Sequence, residues 1–110
     1  MTSTERLPSR LIGLAERIPE SLDSLAGPAE GRVWLPVRLA WSGPDNFDVS
    51  DPGQRLTLYT TLLDCGQRDD FVRYVDAALL MREWPRIRRL TSRRVIAVWE
   101  SKLPELATAA

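Results

Sequence analysis

Six arginines crowd one short stretch of this chain. Arg82, Arg86, Arg88, Arg89, Arg93 and Arg94 share residues 82–94 with a single acid, Glu83, leaving a local charge of plus five. Guanidinium groups at that density can hold an anion. The hydroxyls of Thr91 and Ser92, with the unpaired amides of a helix starting there, would add donors for a phosphate such as that of nucleic acid. Trp84 would offer a flat ring on which a base could stack. Helix electrostatics do not explain the pattern. Arg93 and Arg94 fall in the first turn of a predicted helix and Glu100 towards its end, each opposing the dipole by about 0.3 kcal/mol or more. A solvated basic face, balanced by acids elsewhere in the fold, is the plain alternative.

The same residues suit a protein partner. Arg and Trp are enriched at the energetic centres of interfaces, and Trp34, Trp41, Trp84 and Trp99 are many tryptophans for 110 residues. Trp41 and Trp99 are expected in the core, which leaves Trp34 and Trp84 as candidates for contact with an acidic partner. A second copy of the chain would serve as well as a different protein.

Other chemistry finds little support. The chain has no histidine, which removes the commonest general acid/base and metal ligand and any Ser–His or Cys–His pair. Cys65 falls at a predicted helix C-terminus beside Asp64, where a thiolate is disfavoured, so a buried or half-buried inert thiol is expected. Asp45, Asp48 and Asp51 do not have the spacing of a calcium loop and are read as turn and cap residues. Asp69 and Asp70 point apart on a helix and suit its positive end, with Asp69 placed to pair with Arg73 four residues on. With no Gly-rich phosphate loop or dinucleotide fingerprint, no catalytic residue, metal or cofactor is assigned.

The elements that would carry these residues are those of one domain over residues 1–110. Hydrophobic residues make up 44% and charged residues 27%, enough for a core and a solvated surface. Basic and acidic residues are both 15, so electrostatic recognition has to be local. The preponderance of Arg over the single Lys102 is what a GC-rich genome produces by itself. One cysteine, no signal-peptide pattern and no apolar run longer than the five residues Ala77–Met81 point to a cytoplasmic protein that does not enter a membrane.

The fold class expected is mainly α: a small bundle of three to five short helices with an extended or short-helical N-terminal segment. A first helix is predicted from Ser9 to Ile18, carrying Leu11, Leu14 and Ile18 and stopped by Pro19, followed by one helical turn within 20–31. Arg32–Trp41 alternates like a strand, yet Pro36 can open a helix; Val33–Leu35 extended and then a helical turn is preferred. After a polar loop, Asp51–Pro52 starts a helix to Cys65, with Gly66 as its left-handed cap. The next is predicted over Arg68–Glu83, ended by Pro85, and the last from a Thr91 cap until Pro104. Residues 1–8 and 106–110 are expected to fray. Leu56, Tyr59, Leu63, Phe71, Val75, Leu79, Ile96 and Trp99 form the expected core. The helices flanking Pro85–Thr91 have a helix-turn-helix flavour, with a connection read as too long for that motif.

Leu35–Pro36, Trp41–Ser42–Gly43, Phe47–Asp48, Asp51–Pro52, Arg55, Tyr59, Tyr74, Trp84 and Trp99–Glu100 together resemble a family of small helical actinobacterial proteins of uncharacterised activity. The resemblance spans residues 32–106 and implies no activity. It adds a slight expectation of an interaction protein of the toxin–antitoxin or mobile-element kind. The sequence as a whole points to a non-enzymatic interaction module, adaptor- or antitoxin-like. The alternative is a nucleic-acid-binding, transcription-regulator-like protein using residues 82–94.

Overall fold

A computed structural model describes residues 13–40 and 43–109 of the chain. Among them are helices α1 (Leu14–Arg17), α2 (Val37–Ala40), α3 (Pro52–Cys65), α4 (Arg68–Tyr74), α5 (Ala77–Leu90), α6 (Arg93–Lys102) and α7 (Pro104–Ala109), with strands β1 (Arg32–Trp34) and β2 (Asn46–Asp48). The fold is mainly helical, as expected. Leu11, Trp41 and the Ser9 cap lie outside the described residues.

The extended Val33–Leu35 and the helical turn after Pro36 both form. β1 is followed by α2, whose first turn is closed by Leu39 N–H donating to Pro36 O at 2.9 Å. The partner strand β2 emerges from what reads as a polar loop. Its only large apolar residue, Phe47, sits opposite Val33 in an antiparallel register and both are buried, while Arg32 and Trp34 face Asp48 and Asn46 on the outer side. One buried cross-strand pair is enough to fix that register, because a one-residue slip would turn it outward.

α3 begins as predicted, with Asp51 Oδ2 accepting from Gln54 N–H at 2.9 Å. Its end differs from expectation. Gly66 has φ −77°, ψ 155°, not the left-handed conformation. What restricts that site is proximity, since a Cβ there would lie 2.8 Å from Leu62 O. Downstream, the expected single helix is two. Asp76 Oδ2 accepts from Leu79 N–H at 3.0 Å, capping α5, while the Asp76 N–H donates to the buried Tyr59 Oη at 3.2 Å. A short side chain that competes for backbone donors thus starts a new helix where periodicity alone continues the old one.

Pro85 does not end α5; it lies within it. An interior proline costs about 3 kcal/mol. Trp84 and Ile87 on either side of it are fully buried, and burying side chains of that size offsets the cost at roughly 1.5–3 kcal/mol each. α6 is capped by Ser92, whose Oγ accepts from Val95 N–H at 3.3 Å, and Thr91 closes α5 instead of opening α6. Pro104 opens α7 as well as following α6; residues 106–109 lie in that helix with Leu106 fully buried, while residues 1–8 and Ala110 lie outside the described residues.

All the expected core residues are buried except Leu56, which is partly buried against the same cluster. α1 has only four residues, and its end is closed locally by Ile18 N–H donating to Ala15 O at 3.3 Å. Side chains from far along the chain add to it: Lys102 Nζ donates to Ala15 O at 2.8 Å, and Arg68 Nη2 to Glu16 O at 2.7 Å. Gly27 N–H donates to Val75 O at 2.9 Å, and a Cβ at position 27 would stand 2.3 Å from the Tyr74 and Val75 backbone.

Inside the molecule Arg55 of α3 meets Glu83 of α5, with Nε and Nη2 donating to Glu83 Oε2 at 3.1 and 2.6 Å, and Nη1 donating to Val49 O at 2.8 Å. Arg55 is 5% exposed and Glu83 3%. Removing one partner strands the other charge, so Glu83→Ala is expected to cost about 3–5 kcal/mol in urea unfolding. The double change Arg55→Met/Glu83→Leu should recover most of it, short of the Val49 carbonyl left unpaired.

Candidate partner-binding surface

The six arginines are all exposed, but they do not form one site. Because α5 continues through Pro85, Arg82, Arg86 and Arg89 recur at i, i+4 and i+7 and share its outer face. Arg88 projects elsewhere, its Nε donating to Glu100 Oε2 of α6 at 2.6 Å. Arg93 and Arg94 lie at the start of α6. Arg88, Arg93, Ile96, Ala97 and Glu100 line one open cleft of about 320 Å³; Leu56, Arg86, Arg89 and Leu90 line another of about 270 Å³.

Partners divide the cluster again. Arg88 is paired with Glu100, and Arg86 approaches Glu83 at 3.6 Å. Arg82, Arg89, Arg93 and Arg94 have no ion pair among the described residues. Thr91 is half-buried at the junction of the two helices.

Trp84 is not a stacking platform or an interface anchor. It is fully buried, 6.2 Å from the Trp99 ring, and its Nε1 donates to Glu100 Oε2 at 2.7 Å. That bond also explains Glu100, whose position against the helix dipole serves a tertiary contact. The Arg88 guanidinium and, less strongly, the Trp84 indole hold the Glu100 carboxyl below its ordinary value against the opposing effect of burial. Trp99 packs edge-on to Phe71 at 4.9 Å, and its buried Nε1 has no hydrogen-bond partner among the described residues.

Among the described residues, Trp34 is the tryptophan left outside. It is 61% exposed on β1, and Val37, three residues on, is 82% exposed; Leu90 at the end of α5 is 65% exposed. In the sequence Trp34 stands out by type; Val37 and Leu90 do not, since nothing in their spacing distinguishes them from core residues.

The remaining side chains with chemical potential have structural work. Asp51 caps α3, and Asp48 Oδ1 accepts from Ser50 N–H at 2.9 Å, so two of the acidic loop residues are turn and cap residues. Asp69 and Arg73 form no ion pair among the described residues. Instead Asp70 is buried, accepts from Gln67 N–H at 2.7 Å and takes both Nη groups of Arg38 at 2.6 and 2.9 Å. That guanidinium holds Asp70 below its ordinary value. Cys65 is exposed, not buried, and its thiol is raised by desolvation and by Asp64 and Asp70. Burial pushes the Tyr59 phenol up to about 12, so it stays neutral. No described helix is long and apolar enough to cross a membrane.

No protein-family model, curated protein or solved structure matches the chain. The actinobacterial resemblance therefore rests on the sequence pattern alone.

The two tryptophans separate by experiment. Trp84→Ala is expected to cost about 3–5 kcal/mol in thermal or urea unfolding, whereas Trp34→Ala should stay within about 0.5 kcal/mol of the wild type. Folding favours the ionised forms of Glu100 and Asp70, so the stability they add is complete above the ordinary Glu value of 4.5 and is lost as pH falls below it. Urea midpoints followed down to about pH 3 should fall less steeply in Glu100→Gln than in the wild type.

Proposed function

We propose that this chain is a non-enzymatic protein-interaction module of the adaptor or antitoxin kind, whose partner is another protein or a second copy of itself. The observation that carries the reading is the exposure of Trp34, 61%, with Val37 three residues away, where the other large apolar side chains of the described residues, Leu90 apart, are buried or partly buried. A tryptophan offers roughly 150–250 Å² of surface to bury at low entropic cost. Trp is also the side chain most often found at the energetic centre of interfaces. The arginine face of α5 is a second exposed surface, and its charge would select an acidic partner.

One observation favours nucleic acid as a second reading. With Pro85 inside α5, only Thr91 and Ser92 separate α5 from α6, and Arg93 and Arg94 are exposed at the start of the second helix without an acidic partner among the described residues. A short turn followed by basic residues at the front of a helix is how helix-turn-helix proteins approach a groove.

The two readings part in an affinity purification of the tagged protein from lysate of its native host, with and without nuclease. A stoichiometric protein that survives nuclease and is lost with Trp34→Ala, while the variant melts like the wild type, is the expected result. Nucleic acid that co-purifies alone, with a steep log-linear loss in salt, would replace it with the second reading.

A further inference from the structure

We infer that the outer face of α5 docks an acidic amphipathic helix of the partner protein, seated across Arg82, Arg86 and Arg89 with one apolar side chain against Leu90 and Leu56. The inference rests on the interaction-module reading and names the chemistry of its second contact surface. Three guanidinium groups repeat over roughly 10 Å of helix, the spacing at which another helix presents side chains from one of its own faces. Arg82 and Arg89 have no ion pair among the described residues, and Arg86 reaches only Glu83 at 3.6 Å.

The neighbouring helix does not neutralise them. α3 packs along α5 and contributes Leu56 to the groove, and residues 52–63 contain no acid at all; their one charge, Arg55, is buried on Glu83. The chain as a whole is neutral, with 15 residues of each sign, so the stripe is not a background of general basicity. Its complement is therefore acidic.

Leu90 decides between peptide and nucleic acid. It is 65% exposed and lines the same groove of about 270 Å³ as Arg86, Arg89 and the partly buried Leu56. A phosphate backbone crossing the stripe leaves that apolar surface in water, while an amphipathic helix covers it with a Leu or Ile while pairing its carboxylates with the arginines.

The probe is a synthetic Ala/Gln-based helical peptide whose glutamates repeat at the spacing of the three arginines beside one Leu, titrated into the full chain at about 0.1 M salt. A peptide of the same composition with its glutamates spread around the helix, and a mixed-sequence DNA duplex, are the comparisons. Patterned binding at least about tenfold tighter than the scrambled peptide, weakened about tenfold by Arg82→Glu/Arg89→Glu and severalfold by Leu90→Ala, is expected. All three positions are exposed, and a thermal melt verifies each fold; Arg82→Gln/Arg89→Gln stands in if charge reversal unfolds the chain. Absent binding, equal binding of the scrambled peptide, indifference to the arginine variants, or tighter binding of the duplex would each overturn the inference. Partner capture that depends on Trp34 is read separately, so this docking mode can fail while the interaction module stands.

Discussion

Arg55 and Glu83 set the geometry from which the rest of the molecule follows. Two charges almost entirely out of water are tolerable only where each finds its counter-charge and its remaining donors find acceptors. Arg55 meets that demand by reaching Glu83 with two nitrogens and the Val49 carbonyl with a third. One guanidinium thereby ties α3, α5 and the segment leaving β2. Sliding α3 along α5 by a turn would strand both charges, which makes the pair a register lock of a kind that interchangeable leucines do not provide.

Given that lock, the distribution of positive charge on α5 is a matter of helical angle. Glu83, Trp84 and Ile87 point inward, so Arg82, Arg86 and Arg89 must point out, and Arg88 is turned towards α6. There Glu100 gathers Arg88 and the Trp84 indole on one oxygen. A carboxylate that is badly placed for its own helix is thus well placed for the contact between two. The surface left over, an arginine stripe on one helix and Trp34 on a small sheet, is what the core did not consume.

Much of the fold is legible in the residue order. Asp51–Pro52 starts α3, the change at Pro36 turns strand into helix, and apolar spacing finds Phe71, Val75, Ile96 and Trp99. What stays hidden is whatever depends on a distant partner. Asn46–Asp48 forms a strand only because Val33 is there to receive Phe47. Pro85 is a helix breaker by local rules and a helix residue once the burial of Trp84 and Ile87 is counted. Arg38–Asp70 and Arg55–Glu83 join residues 32 and 28 apart, with nothing in either neighbourhood to announce them. The arginine run is visible as a run, but its division into a stripe and a cleft depends on α5 continuing past Pro85. That single residue hides the geometry of the candidate surface.

The carbonyls at the end of α1 bear on how the chain closes. Lys102 and Ala15 are 87 residues apart in the chain, yet they close the structure upon itself. Loop-closure entropy grows only logarithmically with length, so this contact costs about 1 kcal/mol more than the pairs 32 and 28 residues apart. Lys102 from α6 and Arg68 from α4 therefore fasten α1 to the far part of the chain at little extra entropic cost.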